Sequence, residues 1–154
     1  MKKVTLKLVD ILELEAELNG LVDRQTGKAT VEGILSKELD LVLKYWLSQL
    51  AKKLTKEREA VDALREELIK KYGKEENGAV SIPLYVNEVH DEEGKIVSAD
   101  VNPDYVKFQE EYSKLLQEEK EIEHKELSLD DFEGIKSKDF PRVLFTLITP
   151  PDSE

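Results

Sequence analysis

From Ser36 to Tyr72 the chain contains neither proline nor glycine, and nothing else in the sequence restricts its folding so strongly. Apolar side chains recur there as Leu39, Leu43, Trp46, Leu50, Leu54, Val61, Leu64, Leu68 and Tyr72, mostly three or four residues apart. That spacing gathers them on one face of an α-helix, which over this length runs about 55 Å at 1.5 Å per residue. Ser36 is the candidate N-cap. Lys70 and Lys71 complement the C-terminal dipole, and Gly73 supplies a left-handed stop. The stripe thins between Lys52 and Ala60, where Glu57 stands in a hydrophobe's place, so any kink is expected there.

A second helix is signalled by Asn102-Pro103-Asp104: an N-cap, a proline at the first helical position and an acid in the first turn. Tyr105, Phe108, Tyr112, Leu115, Glu119 and Ile122 follow at alternating steps of three and four, a seam suited to another helix. Between the helices, the β-branched runs Ile82 to Val89 and Ile96 to Val101 flank Asp91-Glu92-Glu93-Gly94-Lys95, which predicts a β-hairpin. Antiparallel packing of the helices would bring Tyr105 near Tyr72 and Ile122 near Leu54. Lys52, Lys53, Lys56 and Arg58 would then face Glu118, Glu119, Glu121 and Glu123.

The ends of the chain supply shorter elements. Val4, Leu6 and Leu8 alternate with Thr5 and Lys7 as in a strand with one buried face. Asp10 can cap a helix over Ile11 to Asn19 that Gly20 stops, and a polar loop or small hairpin follows at Asp23 to Lys28. After Ile122 a short strand is expected around Lys125 to Leu129 and a turn over Asp130 to Ile135. Pro141 favours a short helix over 141–148, while its β-branched content favours a strand; the expectation is a helix. The predicted fold is α+β, mainly α, in a single domain across residues 1–154. It comprises a long antiparallel helical hairpin (36–73 and 103–122), a β-hairpin at its tip (79–101), a small α+β head (1–35 and 123–149) and a disordered tail (150–154).

Charge and motifs exclude more than they select. With 34 acidic and 23 basic side chains the formal net charge is −11, which disfavours direct binding to nucleic-acid backbones or anionic membranes. The chain has no cysteine, so zinc-thiolate sites, iron–sulfur clusters and thiol nucleophiles are excluded. Thr26-Gly27-Lys28 lacks the first glycine and the hydroxyl of a phosphate loop, and Asp91 to Gly94 lacks the acid spacing of a calcium loop. His124 and Glu121, at i, i+3 on a helix, would offer two ligands where a catalytic metal needs three or more, and His90, in the hairpin, likewise stands beside carboxylates. No serine sits in a Gly-x-Ser-x-Gly context. No cofactor or metal and no enzymatic activity are expected. Met1 to Leu6 begins no signal-peptide apolar run, so a cytoplasmic location in a host cell or a place in a virion is expected.

The N-terminal strand, the helix ending Glu66-Glu67-Leu68-Ile69-Lys70-Lys71-Tyr72-Gly73, the hairpin, Asn102-Pro103 and the run Phe108 to Glu119 together resemble small acidic proteins of unknown function encoded by tailed bacteriophages. The resemblance covers about Val4 to Ile135. It implies a phage or prophage setting, as a virion component or an accessory factor, and brings no site residues with it. The functional expectation is a non-enzymatic structural or protein-interaction component that binds a protein partner or its own copies. Its candidate contact residues are Tyr105, Phe108, Tyr112, Trp46, Glu118 and Glu121. The alternative is an acidic, DNA-mimicking inhibitor of a host nucleic-acid enzyme or defence protein.

Overall fold

The computed structural model describes residues 1–23, 25–136 and 139–149. The predicted tail at 150–154 lies outside them. In chain order, β1 (Lys2–Lys7) runs directly into α1 (Leu8–Asn19), followed by β2 (Leu21–Val22), β3 (Ala29–Val31), a 3-10 turn (Ile34–Ser36) and α2 (Leu41–Tyr72). Next come β4 (Lys74–Glu76), β5 (Ala79–Ser81), β6 (Tyr85–His90), β7 (Ile96–Val101) and α3 (Pro103–Leu116). The last elements are β8 (Glu119–His124), β9 (Leu127–Ser128), a 3-10 turn (Leu129–Phe132), α4 (Arg142–Thr146) and β10 (Ile148–Thr149). The fold is mixed α and β, about 49% helix and 26% strand, with one long helix.

That helix starts later than Ser36. Asp40 caps it, its Oδ2 accepting from the N–H groups of Val42 (3.1 Å) and Leu43 (3.4 Å). Ser36 sits in the preceding 3-10 turn and donates its hydroxyl to the Gly33 carbonyl. The helix is continuous past Glu57, whose carboxylate is neutralised by Lys120. Similarly, α1 begins at Leu8, which places Asp10 in its first turn instead of at the N-cap.

The larger correction lies beyond Leu116. The seam predicted a helix to Ile122, but α3 ends at Leu116 and residues 119–124 form β8, antiparallel to β1 with Val4 opposite Ile122 and Lys7 opposite Glu119. Glu119-Lys120-Glu121-Ile122-Glu123-His124 buries only Ile122 and His124, two residues apart, so a half-buried strand satisfies it as well as a helix does. Pairing with β1 then decides, because tertiary context overrides a weak local preference. The segment 103–122 drawn as the second arm of a helical hairpin is thus not one helix, and Glu118 and Glu121 leave the predicted helix face.

Two compact units result: Met1–Glu59 with the described part of Glu118–Glu154, and Ala60–Gln117. In the first, α1 buries Ile11, Leu14 and Leu18, α2 buries Leu43, Leu47, Leu50 and Leu54, and the core also includes Ile34, Ile122, Leu127, Phe132, Val143 and Leu144. Position 141–148 combines both readings: a one-turn helix, then β10 in parallel pairing with β9. In the second unit, Asn77 (φ 51°) and Gly78 (φ 81°) turn β4 into β5, and β6 pairs with β7 across an irregularity at Asn87 (φ 55°). Asn102 joins that hairpin to α3. Its Oδ1 accepts from Asp104 N–H at 3.0 Å while its Nδ2 donates to the Pro83 carbonyl at 2.8 Å.

The β1–β8 register is testable because the chain has no cysteine of its own. Thr5 faces Glu121 across the pair, so a Thr5→Cys/Glu121→Cys double variant is expected to form an intramolecular disulfide under mild oxidation, read by intact mass with and without reductant. Persistence of two free thiols would contradict the strand.

Candidate interaction sites

Trp46 lies half-buried near the start of α2, packed edge-on against Tyr45 with ring centroids 5.1 Å apart. It forms part of the wall of a cleft of about 470 Å³ in the first unit. Val42, Leu43 and Leu127 complete its apolar lining, and Asp40, Glu126, Asp130, Asp131 and Glu133 provide carboxylates. The one cation among the described lining residues, Lys125, extends over the Trp46 ring at 5.2 Å from the centroid. Asp40 is occupied with capping α2, and Asp131 accepts from Ser128 N–H at 2.8 Å in a capping box. Among the described residues no ion pair involves Glu126, Asp130 or Glu133. Leu41 (81% exposed), Val42 (63%) and Tyr45 (55%) stand at the same end of α2.

Of the six residues singled out from sequence, Trp46, Glu118 and Glu121 belong to the first unit and Tyr105, Phe108 and Tyr112 to the second. Glu118 lies between α3 and β8 and accepts from Leu8 N–H through its backbone carbonyl at 2.8 Å. Glu121 is exposed on β8, 3.6 Å from Lys3. Phe108 is buried and stacks parallel on Tyr112 at 5.8 Å, with Tyr105 tilted against it at 6.3 Å. These three side chains therefore form an aromatic ladder along one helix face, anchored by a buried ring. At the end of α2 in the same unit, Lys71 pairs with Glu111 of α3 at 3.5 Å.

The histidines do not build a metal site. Glu121 and His124 are three apart on a strand, hence on opposite faces, and His124 is buried with Nδ1 2.9 Å from the Lys125 carbonyl oxygen. His90 lies on the surface 3.6 Å from Glu88. Among the described residues no three histidine or carboxylate side chains converge to hold a metal ion, and no helix is long and apolar enough to cross a membrane.

Two buried carboxylates were missed. Glu15 accepts from Arg58 at 2.7 Å and from Asn19 at 2.9 Å. Its signal was present in the sequence, because Ile11, Leu14, Glu15 and Leu18 share one helical stripe. Glu17 spans the start of α4, Oε2 accepting from Val143 N–H at 3.1 Å and Oε1 from Leu144 N–H at 2.8 Å. Beside it Arg142 bridges Asp10 and Glu13, which hold its guanidinium more firmly protonated than usual. No local pattern announces Glu17, since its partners lie far along the chain.

Burial pushes the Glu17 carboxyl above its ordinary 4.5, opposed by the two amides it accepts from and reinforced by Glu13. A value raised in the folded state gives stability that is full below the unfolded value and is lost as pH rises through the folded one. Glu17→Ala leaves two buried amides without acceptors and is expected to cost about 1–3 kcal/mol in urea unfolding at neutral pH. Glu17→Gln should cost less and should lose the wild type's decline in stability as pH rises above 4.5, a comparison made by repeating the unfolding across pH. No protein-family model, curated protein or solved structure matches this chain.

Proposed function

We propose that this chain is a non-enzymatic structural or protein-interaction component that docks through Ala60–Gln117 onto a partner protein or its own copies. The observation that carries the reading is how little this unit buries. Among its apolar side chains only Val61 and Phe108 are buried, while Tyr85, Val89, Ile96, Val97 and Val101 of the β6–β7 hairpin are half exposed or more. A two-stranded hairpin is marginal alone in water, and one that exposes Tyr85 beside Val101 gains stability when another surface covers it. The aromatic ladder of α3 then serves as support, with Tyr105 and Tyr112 as the half-buried members open to contact.

The likeness to tailed-phage proteins fits this reading with a setting, as a virion component or an accessory factor in the host cell. The inhibitor alternative draws less support. The charges of β8 meet opposite charges, Glu121 with Lys3 and Lys120 with Glu57 of α2, which dilutes the continuous negative field that a DNA mimic needs.

Light scattering across a concentration series tests the reading together with binding of an apolar dye. The wild type is expected either to reach multiples of 17.6 kDa or, as a monomer, to bind the dye. A Tyr85→Lys/Val101→Lys variant, altering two exposed positions, should keep its circular dichroism and lose that property. A monomer at every concentration that binds no dye would defeat the proposal.

A further inference from the structure

We propose that the Trp46 cleft is a docking site for a basic peptide segment, one that sets a lysine or arginine over the Trp46 ring and lays an adjacent apolar side chain against Leu41, Val42 and Tyr45. The site lies in the first unit, so the proposal does not rest on the reading of Ala60–Gln117. Charge complementarity selects the occupant. Among the described residues the cleft sets five carboxylates against one ammonium, and Glu126, Asp130 and Glu133 are free of ion pairs there.

The molecule already illustrates the contact. Lys125 places its ammonium 5.2 Å from the Trp46 centroid, within the range of a cation–π interaction, and its side chain is exposed and in no ion pair among the described residues. An incoming cation can take that seat by displacing Lys125 into solvent, and arginine is the commoner partner of such rings. A metal ion is a poorer occupant, since no ligand set converges among the described residues. A bare polyamine would meet the carboxylates yet leave Leu41, Val42 and Tyr45 uncovered, and those exposures of 81%, 63% and 55% are what call for a peptide with an apolar side chain. The volume, about 470 Å³, accommodates one or two side chains rather than a folded domain.

Trp46 is the only tryptophan in the chain and reports on its own site. The full chain is titrated with a short peptide of alternating lysine and leucine, followed by Trp46 fluorescence and by calorimetry. Parallel titrations use the same peptide with glutamine for lysine, and spermine. Saturable binding that shifts Trp46 emission is expected, weakened at least about tenfold by the glutamine substitution and by the surface variant Glu126→Gln/Asp130→Asn/Glu133→Gln. Lys125→Met, which keeps the stem on the ring and removes the internal competitor, is expected to tighten binding several-fold. The proposal is overturned if the glutamine peptide binds equally well, if spermine binds as tightly as the peptide, or if Lys125→Met binds no tighter. It is likewise overturned if Trp46 emission responds only to protein concentration, the mark of a second copy in the cleft.

Discussion

The pairing of β1 with β8 is the constraint on which the first unit depends. It joins the start of the chain to the segment after α3, and it does so with alternating chemistry: Val4 faces Ile122 while Lys3 pairs with Glu121 and Lys7 lies opposite Glu119. The buried side chains fix the register, since a one-residue slip would turn Leu6 or Ile122 out of the core, and a slip in one direction would also set Lys7 opposite Lys120. From β8, Lys120 reaches Glu57 and the Glu123 carbonyl accepts from Lys53, so the same strand fastens α2. From β1, α1 departs without a loop, its first amide bonded to the Glu118 carbonyl. Exposed pairs of this kind contribute about 0–1 kcal/mol each, and the buried leucines carry the stability that the charges orient.

Polar groups inside the unit tie particular elements to one another. Glu15, with Arg58 and Asn19, and Glu17, at the first amides of α4, are compatible with one arrangement of α1, α2 and the C-terminal helix. An apolar core of leucines alone tolerates sliding of one helix on another. A carboxylate that must meet a particular guanidinium or pair of amides does not, because leaving it unmet costs about 3–5 kcal/mol.

The elements with self-contained signals were legible in the sequence. Asn102-Pro103-Asp104 fixed the start of α3, Gly73 the end of α2, and Asp91 to Lys95 the turn of the β6–β7 hairpin. Glu76-Asn77-Gly78 was equally legible as a tight turn and was overlooked beside the stronger helix stop before it. What escaped was decided at long range. Residues 119–124 fit two periodicities, and only a strand more than a hundred positions away selects between them. Among the candidate contact residues, Trp46 lies at a cleft, whereas the carboxylates that line it come from Asp40 and from the distant stretch 126–133, with no common spacing. Tyr105, Phe108 and Tyr112 lie along one face of α3, yet a stripe does not declare whether its cover is internal or foreign.

The distance in sequence between β1 and β8 also sets an order of events during synthesis. β1 and the leucine face of α1 leave the ribosome first, and their strand partner follows only after the intervening helices and hairpins have been made, about ten seconds later at ordinary elongation rates. During that interval the edge at Lys2–Lys7 has no mate, and closing so long a loop carries an entropic cost that grows with its length. Lysines at three of its six positions keep that waiting edge soluble, as charged side chains do at unpaired strand edges generally. The alternating Lys/Glu composition therefore acts twice: as a guard on the nascent chain, and later as the register of the finished sheet.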